Sequence, residues 1–418
     1  VNANATTPEL VATQLRTFLN TDNTFSNTNG FKAVGLGSGK IAVVGNNGNS
    51  SSLTVSSSGG SSSKVAAESY AAVIRDSFGN NATSTFSIVG NQSGITVDGG
   101  DSGAGVDGYV EGAKITADND GDGSTSSFGD SSTSTSPTGV FKLYGASGPL
   151  IMSGGTDKAT GLPFKVQYES PAGYKKVINP ITSTIRALES KDTENSGTTA
   201  IEVAEIKMAS LIGASVPFKT FDAYEAVSTV SQIPNAIAYQ KAAASIALVV
   251  DVGSNSLVWM INKIESSGGS VANAYKISGQ AEPFTTQKAS TLIFDAIADS
   301  IISGDITDGK LKSFGSDGTT DDMANKIKDI LEPLTQTVLG SNYDNVFYKN
   351  ALVNEAKVLA AGVHRIENKP FNPDSFPTTS NSAYEALKKI IQTQSVWQGD
   401  ANKALASAPE DSSSTNDW

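Results

Sequence analysis

The hydrophobic pattern of this 418-residue chain takes on a sustained helical period near Pro180. Before that point, apart from a short helical pattern near the start, apolar residues stand in short runs or alternate with polar ones, and Gly, Ser and Asn separate the runs. Alternation is typical of β-strands, whereas apolar residues three and four positions apart are typical of amphipathic helices. The helical spacing continues to Ile391. We therefore predict an α+β, multi-domain protein in which strands and helices are segregated.

The length exceeds what one hydrophobic core usually serves, so we predict three domains. Residues 1–104 form a mixed α/β assembly domain in this prediction. Residues 105–178 form a small β-sandwich that carries an acidic loop, and residues 179–418 form an all-helical domain.

Local patterns in the first domain predict one helix and several strands. Thr7 followed by proline is typical of a helix start. Residues 31–45 predict two strands, residues 83–89 predict a third, and residues 68–76 fit either a helix or a strand. Residues 46–63 are almost wholly Ser, Gly and Asn, which predicts a loop or linker.

Short apolar runs bounded by Gly and Pro predict the strands of the second domain. They lie at residues 108–110, 113–115, 140–144, 149–152 and 164–168. Their number and spacing favour a β-sandwich.

Helical stripes predict seven helices in the third domain. We expect a break near Gly253, a helix that begins after Thr285, and a helix that Pro333 ends. The most apolar stretch, residues 242–250, is about half as long as a bilayer requires, so we predict no transmembrane segment. The stripes lie at residues 181–188, 203–212, 237–264, 285–301, 323–331, 352–363 and 384–391.

Composition excludes several kinds of chemistry. The chain has no cysteine, which excludes disulfides, thiolate metal sites and cysteine nucleophiles, and its one histidine excludes a multi-histidine metal site. A net charge of −12 argues against a nucleic-acid partner. Charged residues make up 17 % of the chain against about 25 % in an ordinary domain, so uncharged polar groups must supply solubility. Such a surface is common on exported proteins and predicts an extracellular or cell-surface location.

Enzyme motifs are incomplete. Gly35 to Lys40 resembles a phosphate-binding loop, but Ile41 stands where that loop needs Ser or Thr. His364 is interpreted as a cap or surface residue. We therefore predict a protein that is not an enzyme, with no catalytic and no cofactor-binding residues. A glycosidase, which needs only two carboxylates, stays open on the sequence alone.

The most distinctive motif is the acidic loop that begins Asp-Asn-Asp-Gly-Asp-Gly at Asp118. Asp118, Asp120 and Asp122 occupy the first, third and fifth positions of an EF-hand-type loop, and the glycines permit a tight turn. Hard oxygen ligands at this density suit calcium. The alternative is a solvated acidic turn.

The closing ligand of this loop is offset. The twelfth position falls on Gly129, and Asp130 lies one residue later. We predict a structural calcium ion that stiffens the loop, with the metal ligands Asp118, Asp120, Asp122, Ser124 and Asp130.

An ordered series of motifs resembles a module of large bacterial calcium-dependent surface proteins, including RTX-type adhesins and S-layer-like proteins. Its strand–calcium loop–strand unit is similar to the prealbumin-like B repeats of Gram-positive adhesins, which a helical domain commonly follows. The resemblance covers about residues 108–264 and implies an exported structural or adhesive role with Asp118, Asp120 and Asp122 as calcium ligands. The nonapeptide repeats of RTX proteins are absent. The motifs lie at residues 108–113, 118–123, 136–141, 154–157, 161–164, 171–173 and 179–182.

These observations predict a non-enzymatic extracellular structural protein. It would belong to a surface layer, sheath or filament, or to an adhesin, through calcium-stiffened self-assembly or adhesion. The predicted partners are copies of itself, as a homo-oligomer or filament, or other surface proteins; Asn-x-Ser/Thr triplets leave glycans open. The alternatives are a secreted glycan-binding accessory module and a fibre or decoration protein of a marine phage.

Overall fold

The computed structural model describes residues 31–37, 40–45, 68–75, 81–88, 101–106, 109–121, 123, 130–143, 145–158, 161–280, 282–304, 320–368 and 377–406. About 59 % of these residues are helical, with small sheets before the helices, which confirms the α+β prediction. The helix predicted after Thr7 and the loop predicted at residues 46–63 lie outside the described residues. The division into three domains stays a prediction.

The chain groups into two compact units. The first takes residues up to Asp101 together with the segments Ala117–Ser131 and Lys142–Ser147. The second takes Ser102–Thr116, Ser132–Phe141 and the chain from Gly148 onward.

Four strands of the first unit form one sheet in the order β1-β2-β3-β4. They are β1 (Phe31–Gly37), β2 (Lys40–Gly45), β3 (Glu68–Arg75) and β4 (Asn81–Ile88). The pairs β1–β2 and β3–β4 are antiparallel, whereas β2 and β3 run parallel. The hairpin predicted at residues 31–45 is confirmed, and the choice left open at residues 68–76 is settled as a strand.

Nine short strands lie between Asp101 and Ile178 in the part of the chain that the structure describes. They form sheets in the orders β12-β10-β7-β8, β13-β5-β9 and β11-β6. The strands are β5 (Asp101–Gly105), β6 (Val110–Glu111), β7 (Lys114–Ala117), β8 (Ser131–Ser134), β9 (Val140–Leu143), β10 (Leu150–Ser153), β11 (Thr156–Asp157), β12 (Gln167–Ser170) and β13 (Val177–Ile178).

Two predicted strands of this region are displaced. The strand predicted at residues 108–110 begins only at Val110, because Tyr109 has a φ of 65°, a left-handed conformation that no strand contains. The strand predicted at residues 164–168 begins at Gln167. Its apolar residues are nevertheless buried, and Phe164 is 6 % exposed. The apolar pattern of these two segments therefore predicted which residues are buried, but it predicted the bounds of the strands only in part.

Seven long helices and one helix of four residues follow in the described ranges. Helix α4 is the longest, with 34 residues, and most of its length is buried. The helices are α1 (Pro180–Ser190), α2 (Thr198–Ile212), α3 (Ala223–Ala226), α4 (Ile233–Ser266), α5 (Thr286–Ile302), α6 (Thr320–Leu339), α7 (Val346–Asn368) and α8 (Ser380–Ala406).

Two predicted helix limits are wrong. Helix α4 continues through Gly253, which is buried against Ile293, so the glycine marks a close helix contact and not a break. Helix α6 continues past Pro333 to Leu339. The lost backbone hydrogen bond is offset by burial of Val338 and Leu339 in the final turns.

One helical segment in the described part of the chain, Val230–Ser266, is long and apolar enough to cross a membrane. The buried share of its most apolar window is 78 %. Helix α4 supplies most of this segment, and the core helix of a bundle has the same apolar composition.

Candidate metal centre

Three of the five predicted metal ligands come together in the first unit. One carboxylate oxygen from each of Asp118, Asp120 and Asp130 lies within 4.8 Å of the other two. Asp118 and Asp130 are only 3 % and 4 % exposed, while Asp120 is exposed. Two buried carboxylates therefore lie beside one exposed carboxylate.

Backbone geometry explains how the loop presents Asp118. Gly121 and Gly123 have φ angles of 77° and 74°, in the left-handed region that glycine adopts without strain. Their backbone N–H groups donate to Asp118 Oδ1 at 2.9 Å and to Asp118 Oδ2 at 3.0 Å. Gly123 stands at the sixth loop position, where EF-hand loops require glycine for the sharp turn.

The offset of Asp130 by one residue does not remove it from the cluster. The backbone N–H of Asn119 donates to Asp130 Oδ1 at 3.1 Å, which fixes this carboxylate beside the start of the loop. Asp130 directly precedes strand β8, so the chain returns to the first aspartates just before the strand begins.

Asn119 is a positioning residue that the sequence analysis missed. Its Oδ1 accepts from Ser147 N at 2.8 Å and from Ser147 Oγ at 2.9 Å, and its Nδ2 donates to Gly145 O at 3.2 Å. These bonds tie the acidic loop to a second segment of the same unit. The bonded residues are 26 to 28 positions apart in the sequence, so the local spacing of residues cannot predict these bonds.

Asp122 and Ser124 lie outside the described residues, so their place in the ligand set stays a prediction. The arrangement of the other three residues has a definite chemical use. Carboxylates within 4.8 Å of one another repel when all are ionised, and a divalent cation among them offsets this repulsion. An all-oxygen set suits a hard cation such as Ca²⁺ or Mg²⁺.

The residues weighed for catalysis lie apart from this cluster in the sequence and in secondary structure. Gly35 and Lys40 belong to the β1–β2 hairpin, as predicted, and do not precede a helix. His364 is half-buried within α7, four residues before the helix ends. It is therefore neither a cap nor fully on the surface.

The second unit contains a row of tyrosines that the sequence analysis did not anticipate. The ring centroids of Tyr109 and Tyr224 are 5.2 Å apart, and those of Tyr224 and Tyr384 are 5.8 Å apart. Tyr109 Oη donates to Asp222 Oδ2 at 3.5 Å, and Asp222 also caps α3. Burial raises the pKa of Tyr109, and the nearby Asp222 carboxylate raises it further. The row joins residues from three distant stretches of sequence.

Comparison of the chain with protein-family models, curated protein sequences and solved structures gives no match.

Proposed function

We propose that this chain is a non-enzymatic extracellular structural protein whose acidic loop binds calcium. The observation that carries the proposal is the cluster of Asp118, Asp120 and Asp130, whose carboxylate oxygens lie within 4.8 Å of one another. Two of these carboxylates are buried and accept hydrogen bonds from backbone N–H groups of the loop. A bound cation would balance the negative charge that the three carboxylates bring together.

The form of the loop favours calcium over magnesium. Calcium accepts six to eight oxygen ligands in flexible geometry, including backbone carbonyls, whereas magnesium demands a near-ideal octahedron and retains water. A glycine-rich turn with carboxylates at alternate positions offers several oxygens from a short stretch. In this proposal the ion connects the end of β7 to the start of β8 and stiffens a β-sandwich module within a three-domain chain.

The assembly part of the proposal is supported by composition. Charged residues are 17 % of the chain, which leaves broad uncharged faces for contact between copies, and calcium bound to the acidic loop would reduce the net charge of −12 that opposes association. The proposed partners are further copies of the chain, in a surface layer, sheath, filament or adhesin.

Calcium binding is testable by hydrogen exchange. Added calcium should protect amides in residues 114–121, and chelator should remove the protection. At a free calcium concentration of about 100 times Kd, binding should raise the free energy of unfolding by about 2.7 kcal/mol. The substitution Asp120→Asn should weaken calcium binding about tenfold, because ligand charge tunes the affinity of such loops.

Glu202→Gln is the matched control, since it removes one charge from an exposed position on α2. It should leave calcium protection unchanged. If calcium protects no amide of the loop in the unmodified protein, the metal site is wrong. Equal loss of affinity in both variants would show a general effect of net charge.

Assembly is tested separately by sedimentation velocity. The purified chain in millimolar calcium should form species larger than a monomer as its concentration rises. A chain that binds calcium and stays monomeric at high concentration would contradict self-assembly while leaving the metal site intact.

A further inference from the structure

A carboxyl group is buried between the long helices of the second unit. Glu355 stands in α7 and is 9 % exposed. It lines a narrow recess where four helices meet. The other lining residues come from α4, α5, α6 and α7; they are Gly253, Leu257, Met260, Ile293, Leu331, Leu334, Thr335 and Leu352.

One hydroxyl group meets this carboxyl. Ser256 Oγ of α4, itself 1 % exposed, donates to Glu355 Oε2 at 2.6 Å. The hydroxyl of Thr335 across the recess donates to Leu331 O of its own helix at 2.8 Å. Ser256 is thus the neighbour from α4 that stabilises the ionised carboxylate.

No counter-charge faces Glu355 among the described residues that line the recess. Gly253, Leu257 and Met260 face it from α4, Ile293 faces it from α5, and α6 and α7 add leucines and Thr335. None of these side chains is titratable. Burial raises the pKa of Glu355 to about 8, and the Ser256 hydrogen bond opposes part of that rise.

We propose that Glu355 is a pH-sensitive latch that holds α4, α6 and α7 together when its carboxyl group is neutral and loosens their junction when it ionises. The neutral acid fits an apolar recess at little cost. The carboxylate must draw in water or a cation, and both need the recess to widen. Gly253 marks a close approach of the helices, since a Cβ there would lie 3.6 Å from Glu355 Oε1 and 3.0 Å from the end of Ile293.

The direction of the pH effect follows from proton linkage. The pKa of Glu355 is about 8 in the folded protein against 4.5 for an ordinary glutamate, so the folded state holds its proton more tightly. The stabilisation from this group is complete below about pH 4.5 and is lost as the pH rises to about 8, with no further change above. The folding equilibrium constant should fall over this window by a factor on the order of a thousand.

The substitution Glu355→Gln keeps the shape of the side chain and removes the ionisable group. We expect the unmodified protein to lose hydrogen-exchange protection in α6 and α7 as the pH rises from about 5 to about 8, after correction for the intrinsic exchange rate. The variant should keep that protection and lose less stability toward alkaline pH. Glu202→Gln, which changes net charge equally at an exposed site, should behave like the unmodified protein. The same pH profile in Glu355→Gln and in the unmodified protein would overturn the latch.

The substitution Ser256→Ala tests the role of Glu355 while leaving its carboxyl group in place. Loss of the hydrogen bond to the carboxylate should raise the pKa of Glu355 and move the midpoint of loosening to higher pH. An unchanged or lowered midpoint would overturn the assignment, even if Glu355→Gln failed to fold. Protection in α2, which does not line the recess, should show no such shift in either variant.

Discussion

Replacing Gly103 with alanine should destabilise the second unit by about 3 kcal/mol, the upper part of the range for an overpacked site. A Cβ at Gly103 would lie 2.2 Å from the carbonyl oxygen of Lys175 and 2.9 Å from that of Lys176. It would also lie 2.7 Å from the ring of Phe141. Two of these three neighbours are backbone atoms, which cannot turn aside as the end of a long side chain can.

The clash would separate strands that hold the small sheets together. Ala104 N donates to Lys176 O at 2.9 Å, and Val177 pairs with Ala104 in the parallel β5–β13 ladder. Moving residues 175–176 away from Gly103 breaks the first of these bonds and displaces the ladder. A parallel pair this short has few other bonds to hold its register.

Urea unfolding of the variant measures this effect. Gly399→Ala is the matched control, because Gly399 lies in α8 and a Cβ there meets nothing within 4 Å. That control should be neutral or should stabilise the protein by up to about 1 kcal/mol, since alanine is the better helix former. Equal midpoints for Gly103→Ala and the unmodified protein would show that β5 and β13 are not packed as described.

Periodicity predicted the helices well because their cores are local stripes. The predicted start of a helix after Thr285 is confirmed, and the structure adds that Thr285 Oγ1 caps it by accepting from Lys288 N at 3.3 Å. The errors lie where neighbouring helices override local preference. Gly253 and Pro333 both sit inside long helices, one because a partner helix needs the space and the other because burial outweighs a lost hydrogen bond.

The strands were harder to predict because short sheets are defined by their partners. Strand β8 (Ser131–Ser134) contains no apolar residue, and it is a strand because it pairs at the edge of the β12-β10-β7-β8 sheet. Its sequence therefore has no alternation of apolar and polar residues from which a strand could be predicted. The same applies to β13, whose two residues pair with β5 across more than 70 positions.

The acidic residues of the candidate site were predictable, but the contacts that fix them were not. Asp118, Asp120 and Asp130 were predicted as ligands from the spacing of the loop, and the structure brings them together. Asn119, which fixes the loop through contacts to Gly145 and Ser147, was not predicted. Glu355 shows the same limit, because its burial depends on which four helices meet and not on its own helix.

Asn179→Ala should also destabilise the second unit by about 3 kcal/mol, through the loss of two different contacts. Asn179 is 2 % exposed and caps α1, where its Oδ1 accepts from Thr182 N at 3.0 Å. Its Nδ2 donates to the hydroxyl of Tyr239 at 2.9 Å, and Tyr239 is 1 % exposed. Loss of the cap costs about 1 kcal/mol, and a buried hydroxyl left without its partner costs about 1–3 kcal/mol.

A double-mutant cycle with Tyr239→Phe separates the two contributions. Tyr239→Phe removes the hydroxyl and leaves the cap, while the double variant removes the cap without leaving a buried hydroxyl behind. The double variant should therefore be more stable than the sum of the single effects by about 1 kcal/mol or more. Strictly additive losses in unfolding free energy would mean that the bond between α1 and α4 contributes nothing. In that case Asn179 would act on stability only as the cap that begins the helical part of the chain.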